Sequence, residues 1–286
     1  MTKFILILFI LIRIFSNPIA NSFQKKLADS ISSITINFYT YLFLSIGCIL
    51  NINTLSKYNY NQEFITLVFI AGFLCTIGMI CMIKAVNIGE LSVIGPINSY
   101  KSVISLIIAF FLLGEIPNFY GIIGIILIIL GSRYIFLEDN SKFSINILKR
   151  KDIQLRFLAM TLTGIEAVIL KKIILISSVE ICYSFWCFMG LFWSVILLIL
   201  SKKQYSIKNK KNLFLILIIS ICLGLMQYST NYVFEKMHVG LALAIFQLSS
   251  IVTIIFGYKF FHESNLKTKL IGCIIMIIGS CFIIFN

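Results

Sequence analysis

The chain alternates long apolar runs with short polar segments, and this alternation is the main signal in the sequence. Each run holds roughly 20 residues, the length that an α-helix needs to cross the hydrocarbon core of a bilayer. Apolar residues are continuous within the runs, which favours helices over the alternating strands of a membrane barrel. The pattern predicts ten membrane-spanning helices, at about residues 4–23, 31–50, 63–86, 91–113, 118–137, 153–176, 179–200, 212–234, 239–261 and 268–285.

The corner between the fourth and fifth runs occurs a second time between the ninth and tenth. The first copy reads FFLLGEIPNFYGIIGIILIILG over residues 110–131, and the second reads KFFHESNLKTKLIGCIIMIIG over residues 259–279. In each copy a glutamate, Glu115 or Glu263, is followed by glycines nine and sixteen residues later. The glutamates lie 148 residues apart, which indicates an internal duplication of a five-helix unit.

A second echo supports the duplication. Lys25 and Lys26 end the first run, and Lys171 and Lys172 end the sixth, 146 residues later. The sequence therefore predicts a first repeat over residues 1–137, a charged connection over 138–152 and a second repeat over 153–286. Five is an odd number, so the two repeats must insert with opposite orientations, as in many transporters with a substrate site near the membrane midplane.

The repeated residues themselves favour a structural interpretation. The glycines lie seven residues apart, which is two helical turns, so the pair in each repeat shares one helix face. Small residues on one face allow two helices to pack closely. We expect the glutamates to stabilise loops or helix ends and to make no contact with a solute. The four glycines are Gly124, Gly131, Gly272 and Gly279.

Composition supports a membrane protein and argues against nucleic-acid binding. The chain is 59% hydrophobic and 12% charged, whereas a soluble domain carries roughly 25% charged residues. Its net charge of +13 comes from clusters between the apolar runs, which are typical of cytoplasmic loops. The eight cysteines and two histidines show no metal-ligand spacing, and no phosphate-binding loop occurs. We therefore predict no cofactor, no metal and no use of ATP.

Three stretches resemble a known family. They are IGPINSYKSVISLIIAFFLLGE in the fourth span, LALAIFQLSSIVTIIFGYKFFHE in the ninth, and SNPIANSFQKK at the end of the first. With the paired corners, they resemble the drug/metabolite transporter superfamily, and within it the ten-helix EamA-type branch. The resemblance implies an all-α basket with a central cavity in the cell membrane that transports a metabolite or amino acid, often outward. The family's usual tryptophan-glycine pair in the first helix is replaced here by RIFSN.

Three ionisable residues lie near the centres of predicted spans. Placing a charge there costs roughly 2.5–3.5 kcal/mol on insertion scales, so such residues are candidates for function. They are Arg13 in the first span, Lys101 in the fourth and Glu166 in the sixth. One interpretation is a structural ion pair between Glu166 and Arg13 or Lys101. The other is contact with a solute or a coupling proton.

Polar residues form stripes along four predicted helices, and a stripe facing lipid would be costly. We therefore expect the stripes to face a wet central cavity, although a single serine or asparagine can instead join two helices by a hydrogen bond. In the first span the stripe contains Ser16, Asn21 and Gln24 besides the candidates. The predicted solute-binding residues are Arg13, Asn17, Asn98, Lys101, Glu166, Gln227, Asn231 and Gln247.

The charges of these residues limit the solute. Arg13 and Lys101 against Glu166 leave one net positive charge, which suits a zwitterion first, an anion next, and a lipophilic cation least. The sequence predicts a secondary transporter of an amino acid or similar zwitterion, with proton coupling through Glu166 as a further hypothesis. The alternatives are an exporter of organic cations, a membrane enzyme that modifies lipids, and a scaffold without transport activity.

Overall fold

The computed structural model describes residues 2–49, 55, 58, 60–104, 118–136, 148–201, 207 and 209–284, and over these residues the fold is all α-helical. We number the helices in chain order. They are α1 (Thr2–Ala28), α2 (Ser33–Cys48), α3 (Gln62–Ile88), α4 (Leu91–Ile94), α5 (Phe119–Ile135), α6 (Lys151–Ile176), α7 (Val179–Ser201), α8 (Lys210–Lys236), α9 (Val239–Phe246), α10 (Ser249–Phe261) and α11 (Leu266–Ile284). A 3₁₀ turn, Pro96–Ser99, follows α4.

Most of these helices are suited to a membrane. Within the described residues, six segments are long and apolar enough to cross one: the helices α1, α3, α7, α8 and α11, and the segment that α9 and α10 form together. The helices α2 and α5 are apolar but shorter. The sixth predicted span, which several charged residues interrupt, is a continuous helix that begins at Lys151. Of the fourth predicted span, residues 105–113 lie outside the described residues, as does Glu115.

Two predicted spans are not continuous helices, which corrects the sequence-based expectation. The fourth span breaks at Gly95, where α4 ends and the 3₁₀ turn begins. The ninth span breaks at Gln247 and Leu248, between α9 and α10. The breaks contact each other, since the Ser250 hydroxyl donates to the Gly95 carbonyl at 3.2 Å. Broken helices of this kind often flank a substrate site in transporters.

Corresponding helices of the two repeats lie side by side and run in opposite directions. In α2 and α7, Asn37 donates to Ser194 at 2.9 Å, whereas Ser45 lies nearer the start of α7 and donates to the Cys187 carbonyl. The pairing of α5 with α11 is also antiparallel, as the glycine contacts below show. The described helices therefore confirm two inverted repeats.

The two repeats also pack against each other through helices that do not correspond in sequence. The first helix of each repeat packs against the third helix of the other, so that α1 packs against α8 and α6 packs against α3. Phe9 contacts Tyr232 and Arg13 contacts Thr230 in the first pairing. A large apolar core fills the space between α2, α3, α6, α7 and α8. The interface between the repeats thus holds much of the protein's buried surface.

The repeated glycines form the crossing of α5 and α11. A Cβ atom on Gly131 would lie 2.7 Å from the Gly272 carbonyl oxygen, and one on Gly124 would lie 2.6 Å from that of Gly279. Real Cβ atoms do not approach a backbone oxygen so closely, so only glycine fits. The prediction that these residues pack helices closely is confirmed, and each repeat packs its glycines against those of the other.

The repeated lysines hold equivalent backbone ends. Lys25 donates to the Gly89 carbonyl at 2.6 Å, at the end of α3. Lys171 donates to the Phe234 carbonyl and lies 3.5 Å from that of Met237, at the end of α8. Each lysine therefore lies at the negative end of the third helix of its own repeat, where cations are favoured.

Glu263 is a structural residue, as its place in the duplicated corner suggests. Its carboxylate accepts hydrogen bonds from the backbone nitrogens of Leu91 and Ser92, both at 2.8 Å. It also pairs with Lys25 at 3.2 Å, and only 7% of the residue is exposed. Glu263 thus joins the second repeat to the start of the fourth span.

Candidate functional site

A polar cavity lies between the two repeats. Its volume is about 110 Å³, enough for a small solute, and residues from α1, α3, α6 and α8 supply most of its wall. The segment after the fourth-span break and helices α7 and α9 supply the rest. The wall combines charged, amide and apolar side chains, an arrangement typical of a site for a small polar molecule.

Six of the eight predicted residues line this cavity. They are Arg13, Asn17, Asn98, Lys101, Glu166 and Gln227. The other two lie behind the wall. Asn231 is fully buried and accepts a hydrogen bond from Gln227 at 2.9 Å. Gln247 is 1% exposed and bonds Asn98. Asn231 and Gln247 therefore act on the cavity only through residues that line it.

The Arg13 side chain is fixed through its Nε atom, whereas its Nη1 atom has no hydrogen-bond partner among the described residues. Its Nε donates to the Thr230 hydroxyl at 2.9 Å, and its guanidinium lies 4.8 Å from the centre of the Phe246 ring. The Nη1 atom is buried and has no hydrogen-bond partner among the described residues. Buried donors in native proteins nearly always have a partner, so this donor at the cavity wall is suited to bind a polar molecule in the cavity.

Lys101 and Glu166 do not form the structural ion pair considered from the sequence. Glu166 is 4% exposed and accepts a hydrogen bond from the indole nitrogen of Trp186 at 2.9 Å. Within the described part of the chain, neither Lys101 nor Glu166 has an ion-pair partner. The cavity thus presents separate positive and negative groups to an occupant.

Arg156 is a wall residue that sequence reasoning missed. Its position near the start of the sixth predicted span made it resemble a loop cation. The structure places it on the cavity, 8% exposed, with Nε donating to the Ile94 carbonyl at 3.0 Å. The available signal was its spacing of seven residues before Thr163 and ten before Glu166, which puts all three on one helix face.

This finding corrects the charge of the cavity. Three cations, Arg13, Lys101 and Arg156, now face one carboxylate, Glu166, which gives two net positive charges in place of one. Each side-chain nitrogen of Arg156 donates a hydrogen bond within the protein, whereas Arg13 Nη1 has no partner and Lys101 forms no hydrogen bond among the described residues.

The rest of the wall is apolar and adaptable. Methionine fills irregular space and adjusts to different shapes, which suits a pocket for an apolar group. Trp186 also lines the cavity, whereas Trp193 donates to the Phe69 carbonyl and packs among aromatic rings away from it. The apolar wall residues include Met79, Met82, Leu170, Met226, Phe234, Leu243 and Phe246. Among the described residues, no group of three metal-binding side chains is found.

A helical membrane protein with two inverted repeats around a charged central cavity has the architecture of a membrane transporter. Comparison with protein families agrees: the profile of the EamA-like transporter family matches residues 4–137 and 151–285. The chain belongs to the EamA-like transporter family, and so to transporters of the drug/metabolite type.

Solved structures support the same fold. Among them, 28 chains match this one. One crystal structure of a protein superimposes with a TM-score of 0.66 and 10% sequence identity, covering 96% of this chain and 94% of that chain. At this identity the likeness concerns the fold alone. No curated protein matches the chain.

Proposed function

We propose that this protein transports an amino acid or a closely related zwitterion by alternating access between its two repeats. The observation that carries the proposal is the separation of charge across one small cavity. The buried Nη1 of Arg13 has no hydrogen-bond partner, Lys101 forms no hydrogen bond or ion pair, and Glu166 has no ion-pair partner, all among the described residues. A zwitterion supplies the two missing partners in a single molecule.

The positive groups suit the carboxylate of the solute. The planar fork of an arginine can bond both oxygens of a carboxylate, and a lysine adds a point charge. Thr230 and the Phe246 ring fix the Arg13 guanidinium before a solute arrives. A preorganised group loses less entropy on binding, which favours Arg13 as the main carboxylate ligand.

The negative group suits the ammonium. Trp186 orients the Glu166 carboxylate with a hydrogen bond, and the apolar wall around Met79 and Phe246 leaves room for a hydrocarbon side chain. An organic cation would meet the same carboxylate but also three positive groups. The electrostatic balance therefore favours a zwitterion or an anion over a multidrug cation.

The test is ligand-dependent stability of the purified protein. A ligand that binds only the folded state raises the melting temperature by mass action. The probes are amino acids with their deaminated and decarboxylated counterparts, such as leucine, 4-methylpentanoate and isoamylamine. We expect leucine-like zwitterions to raise Tm most, the acids less and the amines least. A rise with the amines alone would overturn the proposal and favour an exporter of organic cations.

Variants connect the response to the cavity. Arg13→Gln and Lys101→Met remove the carboxylate ligands, and Glu166→Gln removes the ammonium ligand, so each variant should lose the response to the zwitterion. Lys172→Met is the matched control, because Lys172 lies on the same helix as Glu166 but is exposed and pairs with Glu63 at the surface. Unchanged responses in all the cavity variants would place the binding site elsewhere.

Proton coupling is part of the proposal. A carboxylate that takes either a proton or the ammonium of the solute can couple their movements, because the two compete for one group. In proteoliposomes with an imposed pH gradient, Glu166→Gln should abolish uptake driven by the gradient. Uptake with an unchanged pH profile in this variant would show that coupling uses another group or does not occur.

The direction and location follow from the family resemblance. We propose efflux across the cell membrane. Cells that express the protein and are fed a dipeptide should accumulate less of the released amino acid than cells that express Arg13→Gln. Greater accumulation in cells with the unmodified protein would indicate import.

A further inference from the structure

The break in the fourth span leaves a backbone carbonyl without its helical partner. In a continuous helix the Ile94 carbonyl would accept from the Asn98 nitrogen. Here that nitrogen donates instead to the Gly95 carbonyl at 3.1 Å. An unpaired carbonyl inside a membrane protein is costly, so the break requires a donor from elsewhere.

Arg156 supplies that donor from the other repeat. Its Nε donates to the Ile94 carbonyl at 3.0 Å and its Nη2 to the Asn98 side-chain oxygen at 3.0 Å. Its Nη1 lies 3.1 Å from the sulfur of Met82. One planar group therefore holds three acceptors, which lie on α3, on α4 and on the 3₁₀ turn of the first repeat. Arg156 has no ion-pair partner in the described part of the chain.

The contact continues to the break in the ninth span. The Asn98 amide donates to the Gln247 side-chain oxygen at 3.2 Å, and the Gln247 amide returns a bond to the Asn98 carbonyl at 3.0 Å. Arg156, Asn98 and Gln247 thus form one chain of hydrogen bonds that joins both breaks. Lys101 lies three residues after Asn98, so its position depends on where this chain holds the backbone.

We propose that Arg156 is a positioning residue for the solute, which fixes Asn98 and Lys101 on the cavity wall by bracing the break in the fourth span against the break in the ninth. The proposal requires that the cavity binds the solute, but it does not depend on the solute being an amino acid. It separates the arginines by role, since Arg13 contacts the solute and Arg156 acts through its neighbours.

Kinetics distinguish positioning from simple charge. With leucine as the transported probe, Arg156→Gln should raise KM about tenfold or more, the range of one lost charged hydrogen bond, with a smaller change in maximal rate. Arg156→Lys keeps the charge but cannot span the three acceptors, so it should not restore KM. Full rescue by lysine would overturn the proposal in favour of an electrostatic role. A lower Tm with unchanged KM would also overturn it.

Coupling between the two breaks gives a second criterion. Arg156 and Gln247 do not bond each other but share Asn98, so Arg156→Gln and Gln247→Met should not act independently. We expect the double variant to have nearly the KM of the worse single variant. Effects that multiply would show that the two residues act separately and would contradict the proposal.

A measurement without solute separates this proposal from the proposed function. In hydrogen exchange of the purified protein, Arg156→Gln should speed exchange of the amides of residues 95 and 97–101 at least several-fold and leave those of α7 unchanged. Lys172→Met is the control and should change neither. If no zwitterion binds but exchange changes in this way, the positioning role of Arg156 is supported and the proposed class of solute is wrong. Unchanged exchange in Arg156→Gln would reject the brace whatever the solute.

Discussion

The two repeats use the same positions to build the cavity but place different side chains there. Allowing for offsets of 146 residues in the first helices and 148 in the later ones, most wall positions occur in pairs. The pairs that face the cavity are Arg13 and Ala159, Asn17 and Thr163, Asn21 and Ala167, Cys75 and Leu223, Gly78 and Met226, Met79 and Gln227, Met82 and Thr230, and Asn98 and Phe246. The backbone of the cavity is therefore nearly symmetric, and its chemistry is not.

Positions outside the cavity show the opposite. Lys25 and Lys171 hold helix ends in both repeats, and the paired glycines form one crossing. The two repeats keep the same residue where both make the same structural contact, and they differ along the cavity wall, where we propose that a solute is oriented. An unsymmetrical solute with a charged end needs an unsymmetrical wall. The comparison predicts that kept residues control stability and that changed residues control binding.

The largest effect on stability should come from the glycine crossing. In Gly131→Ala the new methyl group would lie 2.7 Å from the Gly272 carbonyl oxygen and 3.0 Å from the Met276 nitrogen. Neither backbone atom can move without separating α5 from α11, so we expect a loss of about 3 kcal/mol, at the upper end for overpacking. Thermal unfolding in one detergent, followed by fluorescence, measures it.

The control for this substitution is Gly164→Ala on α6. A Cβ atom there would meet nothing within 4 Å, so the change should be neutral or slightly stabilising because alanine favours a helix. Equal losses of stability in both variants would mean that the close packing of α5 against α11 does not require glycine.

The next effect concerns the corner glutamate. Glu263→Ala leaves two backbone nitrogens and Lys25 without their acceptor, and we expect a loss of about 2 kcal/mol. Glu63→Ala is the control, since Glu63 forms an exposed pair with Lys172 and such pairs contribute little. If both variants unfold at the same temperature, the contacts of Glu263 with Leu91, Ser92 and Lys25 do not stabilise the protein.

The contacts of the Glu263 carboxylate should also make the stability of the protein depend on pH. Burial raises the pKa of Glu263, but the bonds from Ser92 and Leu91 and the charge of Lys25 outweigh it and lower the pKa below its ordinary value of 4.5. A lowered folded-state pKa stabilises the protein above the unfolded value, and that stability is lost as pH falls through the folded value. The Tm difference between the unmodified protein and Glu263→Gln should therefore be constant near neutral pH and shrink below about pH 4. A constant difference down to pH 3 would contradict this.

The sequence was sufficient for features that repeat or follow a helical period. The duplicated corner revealed the five-helix unit, and the penalty for polar groups in lipid placed Arg13, Lys101 and Glu166 on the cavity wall. That these residues bind a solute stays a prediction. Gln227 and Asn231 share a stripe, yet only Gln227 lines the cavity, and Asn231 lies behind it as the acceptor of a Gln227 hydrogen bond.

Features that depend on contacts between distant segments were not predictable in this way. Gly95 and Pro96 give a local reason for the break in the fourth span, but nothing in AIFQLSS identifies the break at Gln247. That break depends on its bonds to Asn98, 149 residues away in the chain. Arg156 was missed for the same reason, because a basic residue near a helix start ordinarily marks the membrane surface.

A smaller effect should distinguish the two repeated lysines. Lys25→Met removes a carbonyl contact and the counter-charge of Glu263, whereas Lys171→Met removes carbonyl contacts alone. We expect a loss of about 1.5 kcal/mol for Lys25 and about half of that for Lys171. Lys172→Met should change Tm least. A larger loss at Lys171 than at Lys25 would show that helix-end contacts matter more than the ion pair.

The smallest effect on stability should come from a residue that differs between the repeats. Arg13 pairs with no carboxylate among the described residues, and its one bonded partner, Thr230, also donates to the Met226 carbonyl at 2.8 Å. Arg13→Met therefore leaves no new unpaired group and removes a costly buried charge, a replacement that is often neutral or stabilising. We expect Tm without solute to stay the same or rise by about 1–2 °C, while the rise that leucine causes disappears. A drop of several degrees without solute would mean that Arg13 holds the fold together. Arg13, which differs between the repeats, would then control stability, and this would contradict the division between residues kept for structure and residues changed for the solute.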